Sequence, residues 1–210
     1  MDTQPRRPGR ASKFTARLRR AERKRQLLAQ AKQLFVTLGY QHTTTEKIAQ
    51  AAGVTEPVLY RHFASKKALF LEVLQEIRQA TLQRWETETK TVANPLEKLN
   101  AVVDLFVGST REQALEIRIM HRTLIESDDD EIVACLRAFY LDSEKFMSQI
   151  LRETQGAGLF REDFDPRVGA WELIRSALGF TLTQPLSIPL YDDESYQQKA
   201  IDCLLRGMLA

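Results

Sequence analysis

Residues 43–63 read TTTEKIAQAAGVTEPVLYRHF, and the fold follows from how this stretch has to be organised. Thr43 and Glu46 have capping-box spacing, with Thr44 the neighbouring choice of N-cap. Ile48, Ala49 and Ala52 then share one face of a short helix. Gly53 permits a tight turn, Val54 plugs it, and Thr55 is placed to cap a second helix. Pro57 sits in the first turn of that helix, where a missing N–H is harmless. The helix runs to about Phe63, with Leu59 and Phe63 facing inward. Two short helices joined by a glycine-containing turn make a helix-turn-helix.

Helices this small cannot bury each other, so a third must complete their core. The preceding segment supplies it: Leu27, Leu28, Ala31, Leu34, Phe35 and Leu38 share one helical face, and Gly39 ends that helix. Ser65 caps a long helix carrying Leu69, Phe70, Val73, Leu74, Ile77, Leu82 and Trp85. Such a core leaves the outer face of its third helix free to enter a major groove of DNA. With Leu59 and Phe63 inside, that face is Glu56, Pro57, Val58, Tyr60 and Arg61. Entry by the helix N-terminus brings Glu56, Pro57 and Val58 nearest the base edges. There Pro57 or Val58 can pack on a thymine methyl and Glu56 can accept from a cytosine amino group. Tyr60 and Arg61 suit phosphates, contacts that set register rather than sequence. The amides at Thr44 and Thr45 can meet a further phosphate, and Lys66 points from the long helix toward the same backbone. His62, beside Phe63, reads as a packing and hydrogen-bonding residue rather than a pH switch.

Charge distribution agrees with a polyanionic partner. Residues 1–25 hold ten Lys or Arg and two acids, a net +8; the whole chain is +2, so the other 185 residues carry −6. Cationic side chains that dock on DNA release condensed counterions. Residues 1–20, with Pro5, Pro8 and Gly9 and few apolar side chains, read as a disordered basic arm. The arm has no apolar segment of a secretory signal, and no apolar run approaches the ~18 residues that span a bilayer. No membrane association and a cytoplasmic location are expected. Cys135 and Cys203 read as buried apolar residues in a reducing compartment.

Beyond Asn94-Pro95, helical patterns cover about 95–108, 111–126, 129–155, 166–183 and 193–209, with no sustained strand alternation. The whole is all-α: a helix-turn-helix domain at 21–68 and a larger helical domain at 69–210, joined by the long helix. Val168, Ala170, Trp171, Leu173, Ile174, Ala177, Leu178, Phe180 and Leu182 cover too much of one helix for a surface element. Together with the apolar stripe of the last helix they either pack within one subunit or form an isologous four-helix contact between two. Gly169, Ala170, Ala177 and Gly179 would let backbones approach closely. Phe106, Ile117, Met120, His121, Leu124, Phe139, Phe146, Met147, Trp171 and Phe180 are either plain core or the walls of a ligand pocket. His121 and Arg118 are its possible polar anchors, and the chemistry suits a largely apolar small molecule.

Leu34-Phe35, Gly39-Tyr40, Thr43-Thr44, Ile48-Ala49, Ala52-Gly53-Val54, Leu59-Tyr60, His62-Phe63, Lys66 and Ala68-Leu69 closely resemble the tetracycline-repressor (TetR/AcrR) family over about residues 22–72. The resemblance implies an all-helical homodimer of about nine helices per subunit and, usually, repression relieved by a small molecule. It favours the last two helices as the dimer surface, and the symmetry then requires a near-palindromic operator. Carried over, it puts Thr45 and Glu46 at the start of the supporting helix. It makes Glu56, Pro57, Val58, Tyr60, His62 and Lys66 DNA-facing or DNA-proximal. The candidate DNA set is thus Thr44, Thr45, Glu46, Thr55, Glu56, Pro57, Val58, Tyr60, Arg61, His62 and Lys66. Thr55-Glu56-Pro57 departs from the Ser, Lys or Gly often found there in the family.

An enzyme is the first rival reading. The sequence offers no phosphate loop, no metal-ligand spacing and no Ser–His or Cys–His pairing with a third partner, so no catalytic residue, metal or cofactor is expected. Two further rivals keep DNA binding: a ligand-independent scaffold, and an activator rather than a repressor.

Overall fold

The structure, a computed structural model, describes residues 10–107, 111–183, 186–189 and 196–207. Among these there are nine α-helices and no β-strand. They are α1 (Arg10–His42), α2 (Thr45–Ala51), α3 (Glu56–Tyr60), α4 (Lys66–Thr89), α5 (Pro95–Val107), α6 (Arg111–Glu126), α7 (Asp130–Gly156), α8 (Pro166–Thr183) and α9 (Tyr196–Arg206). Two compact units divide within α4, between Val73 and Leu74. The boundary read from sequence falls at 68/69. Phe70 draws it later, because its ring packs on Phe35 (4.7 Å, edge-on) and Tyr40 (4.6 Å) of the first unit.

α1 starts far earlier than composition suggests. Residues 1–9 of the arm lie outside the described residues, but helix begins at Arg10, so residues 10–20 are not disordered. The physical reason is local: Pro5, Pro8 and Gly9 all precede Arg10, and the segment after it is rich in Ala, Arg, Lys and Leu, good helix formers. Gly39, at φ 80° and ψ 169°, breaks α1 near its end. The buried Thr43 hydroxyl contacts carbonyls that this break exposes, donating to Gly39 O (2.7 Å) with Leu34 O 3.2 Å away. Thr43 therefore finishes α1, and Thr44 caps α2 by accepting from Lys47 N (3.2 Å).

Leu27, Ala31 and Phe35 of α1, Ile48 and Ala49 of α2, Leu59 and Phe63 around α3, and Leu69 and Phe70 of α4 are buried in the first unit. The turn between α2 and α3 uses Gly53 at φ 64°, in the left-handed region where a side chain is strained although nothing lies within 4 Å of a built Cβ. Thr55 stands at the N-cap of α3 with extended backbone, but its side chain makes no capping bond, contrary to expectation. α3 is also shorter than its pattern. It closes at Tyr60, and His62 N and Phe63 N both return to Leu59 O (2.9 and 3.1 Å).

In the second unit α7 packs on α5 and α8, with α6 against α8. Asp129 caps α7 by accepting from Glu131 N and Ile132 N. Ion pairs bind neighbouring helices: Arg78–Asp142, Arg84–Glu116 (3.6 Å), Lys98–Glu153 (2.9 Å) and Arg167–Glu144 (2.9 Å). Three of the small residues of α8 serve this interior, and the fourth, Gly179, is exposed. A Cβ on Gly169 would stand 2.1 Å from the Phe164 ring and 3.2 Å from Leu151, and Ala170 and Ala177 are buried in their own subunit. Cys203 is exposed on α9 and Cys135 half-buried on α7, so neither is the buried residue expected. No helix among the described residues is long and apolar enough to cross a membrane.

His121 is wholly buried and its ring stacks on Tyr140 (6.3 Å between centroids). Burial lowers its pKa from 6.5 to about 4. Between those values the unfolded chain binds a proton that the folded chain refuses. Stability present above pH 6.5 therefore falls as pH drops toward 4, by about 3 kcal/mol in all. Urea midpoints measured from neutral pH to about pH 4.5 should fall more steeply for the native protein than for His121→Phe. Equal slopes would remove His121 as the source.

Candidate nucleic-acid interface

α3 is only five residues long and depends on its neighbours for its orientation. Thr45, at the first position of α2, is buried at 9% exposure and bonds to both ends of α3. Its hydroxyl donates to Glu56 Oε1 at 2.5 Å, a length typical of a hydroxyl on a carboxylate. A threonine has one proton to give, so the Tyr60 hydroxyl, 3.2 Å away, is the donor in the second bond. Glu56, read from sequence as a base-reading acid, thus has an internal partner.

Lys66 has a similar internal role. Its ammonium donates to Tyr40 O (2.9 Å) and Thr43 O (3.0 Å) and stands 4.3 Å from the centre of the Tyr40 ring. The C-terminal end of a helix presents unpaired carbonyls and partial negative charge, which attract a nearby cation. Partial burial pushes the Lys66 pKa below its usual value. Lys47 reaches another carbonyl of the same segment, His42 O (3.2 Å).

With the bracket in place, Thr44, Glu46, Thr55, Pro57, Tyr60 and Arg61 are exposed, Tyr60 by 48%. Glu56, Val58, His62 and Lys66 are half-buried. The structure therefore brings the sequence-predicted set together on α2, α3 and the start of α4, and divides it between outward and inward members. It also adds residues. Arg19, Arg20 and Arg23 of α1 meet Val54, Val58, Arg61 and His62 along a surface groove of about 630 Å³. The excess of Arg and Lys was legible in the sequence, but its convergence on α3 depends on α1 already being helical at Arg19 and Arg20. Lys24 is engaged within the unit instead, 2.6 Å from Glu72 at the surface and over the Phe63 ring at 5.3 Å. His62 has its pKa lowered by burial and by Arg20, Arg61, Lys24 and Arg23, so it is held neutral near pH 7.

The candidate pocket residues are more scattered. Ile117, Met120, His121, Phe139 and Met147 are buried in the second unit, and Phe146 lies against Trp85 (5.7 Å). Leu124 faces solvent at 39% exposure. Trp171 lines an open groove of α8 with Asp165, Arg167, Val168 and Arg175, and Phe180 stacks on Tyr196 (6.3 Å). Arg118 is exposed, so it is no interior anchor. The Phe106 side chain lies outside the described residues. Sequence pattern missed the polar side chains inside this unit: Thr81, Glu116 and Tyr140 are all buried, at positions whose helical spacing is that of the core.

Residues 27–73 match the family described as "Bacterial regulatory proteins, tetR family", the segment that holds the bracket and Lys66. The chain is 32% identical over 151 residues to the HTH-type transcriptional repressor KstR2 of Mycolicibacterium smegmatis, across 69% of this chain and 71% of that one. It is 38% identical over 100 residues to the HTH-type transcriptional activator FasR of the same species, across 48% of this chain and only 46% of FasR. A TetR-family regulator from Agrobacterium tumefaciens has the same fold, with a TM-score of 0.77 over 91% of this chain and 100% of that one at 18% identity. The chain belongs to the TetR family: it is a helical DNA-binding regulator of transcription and not an enzyme.

Proposed function

We propose that this regulator is a homodimeric repressor that holds a near-palindromic operator through α3 of each subunit and releases it when a small molecule enters the second unit. The observation that supports this reading most is the bracket at Thr45, which keeps Pro57, Tyr60 and Arg61 in solvent while both ends of α3 are tied to α2. In this reading Pro57 and Val58 meet base edges and Arg61 meets phosphates, while Tyr60, whose hydroxyl proton is given to Thr45, lies along the duplex with its ring exposed. Thr44, Glu46 and Thr55 border the duplex. Thr45, Glu56, His62 and Lys66 position the others. The chromosome as target places the protein in the cytoplasm.

Dimerisation falls to the outer faces of α8 and α9. On α8 the exposed Val168 and Leu182, with Arg175 and Gly179, follow helical spacing along one stripe opposite the buried Ala170, Leu173, Ile174 and Ala177. A two-fold contact of such stripes is isologous and orients two α3 helices alike. The interior of the second unit suits an effector that is apolar with hydrogen-bonding groups. Thr81 Oγ1 (α4), Asn100 Oδ1 (α5) and Tyr140 Oη (α7) are buried and have no hydrogen-bond partner among the described residues. α4 belongs to both units, so an effector that binds more tightly to one position of α4 shifts the protein toward that state. A second reading, activation, is favoured by the name of FasR. A promoter fusion in cells with and without the gene separates the two: deletion raises the signal under repression and lowers it under activation.

Two variants separate contact from positioning in duplex titrations at several salt concentrations. Arg61→Ala should weaken binding to all sequences and lower the salt slope by about one. Thr45→Val should lower affinity about tenfold, the loss of roughly one hydrogen bond's worth of positioning, with the slope unchanged. An unaltered slope in the first, or unaltered affinity in the second, contradicts these roles. Leu182→Glu should convert the dimer to monomer in sedimentation and weaken operator binding; a dimer of native stability would move the interface elsewhere.

A further inference from the structure

Along one face of α8 stand Val168, Trp171, Arg175, Gly179 and Leu182, at intervals of three, four, four and three residues. The spacing is the same read from either end, with Arg175 at its centre. Val168, Arg175, Gly179 and Leu182 are exposed and Trp171 is half-buried. When a helix face meets its own copy about a two-fold axis that runs across the helix, each residue faces the one equally far beyond the axis. A stripe with symmetric spacing keeps all its members in register under that operation.

The subunit alone does not explain the glycine in this stripe. Gly179 lies in the interior of α8, where glycine weakens a helix relative to alanine. Nothing stands within 4 Å of a Cβ built on it, so no neighbour in its own chain requires the side chain to be missing. Equally far on the other side of Arg175 is Trp171, in the wall of a groove of about 490 Å³ shared with Asp165, Arg167, Val168 and Arg175. The charges of that groove are satisfied within the subunit. Arg167 pairs with Glu144 (2.9 Å), Arg175 pairs with Glu172, and Asp165 accepts from Arg167 N (2.8 Å). The groove therefore suits an apolar filling better than a charged ligand.

Resting on the proposed dimerisation through α8 and α9, we propose that α8 of two copies cross antiparallel about Arg175, with Trp171 of each seated on the partner's Gly179. Val168 then meets the partner's Leu182. Leu182 and Leu186, exposed by 49% and 66%, supply the apolar filling for the groove of the other copy. The two Arg175 side chains meet at the axis, and each brings its own Glu172, so the charge there is balanced. A parallel crossing would set tryptophan on tryptophan and leave a gap between two glycines. The pairing also selects the partner: a chain with a large side chain where this one has Gly179 offers no seat for the ring.

Two measurements on the full chain test this register, with circular dichroism to check the helix content of every variant. The first is crosslinking by a short bismaleimide, in a chain that carries Cys135→Ser and Cys203→Ser and sediments like the native one. Adding Val168→Cys together with Leu182→Cys should give covalent dimers. Either change alone should not, since its two thiols would lie about 21 Å apart along the helix axis. Covalent dimers from both single changes, or none from the pair, overturn the proposal. The second is sedimentation over a range of concentrations. Gly179→Trp should raise the dimer dissociation constant about tenfold or more. Combining it with Trp171→Gly should recover most of that loss, because the ring then enters from the other side. Gly179→Trp chains that dimerise like the native one, or a combination no better than the single change, overturn the pairing and leave a dimer on α8 and α9 standing. A native chain that stays monomeric overturns both.

Discussion

The buried hydroxyl of Thr45 is the constraint on which the reading head depends. α2 has seven residues and α3 five, too few to hold a mutual angle by packing alone. Leu59 is the one buried residue of α3. A single anchored side chain leaves a short helix free to rotate about it. The two bonds from Thr45, to Glu56 at the start of α3 and Tyr60 at its end, remove that freedom. They also explain why a glutamate is tolerated beside the proposed DNA face: its carboxylate is occupied by an internal donor.

Charge placement follows the same division between holding and reaching. Lys66 satisfies carbonyls left over where Gly39 breaks α1, and Lys24 pairs with Glu72 under the ring of Phe63. These cations tie the ends of α1 and α4 into the first unit. The arginines of α1, with Arg61, are the ones directed outward. In the proposed docking such a unit turns to DNA a mostly apolar edge at Pro57 and Val58 flanked by cations, the order expected where base edges lie in a groove between two phosphate ridges.

What was legible in the sequence was local. Gly53, Pro57, Ser65, Asn94-Pro95 and Asp129 are caps and breakers whose effect extends over one turn, and the helices start and stop where they fall. The inward set Leu27, Ala31, Phe35, Ile48, Leu59 and Phe63 followed from periodicity and is buried. The rest depended on which residues meet in space. Nothing in a Thr-Thr-Thr run says that the first finishes α1, the second caps α2 and the third bridges to α3. Nothing in the spacing of Lys66 reveals carbonyls of Tyr40 and Thr43 as its partners. The basic arm was misread from Arg10 onward because scarcity of apolar residues resembles disorder, although the local helix propensity is high. α8 was read as too apolar for a surface element; it has a buried face with close contacts at Gly169 and an exposed stripe at Val168 and Leu182.

The central claim is that the outward face of α3 is the surface that meets DNA. Amide chemical-shift mapping of the full-length protein against its operator duplex tests this most directly. The account predicts the largest shifts at Val58, Tyr60 and Arg61, with further ones at Thr44 and Thr45. Shifts that leave α3 untouched and gather on α7 and α8 would contradict it.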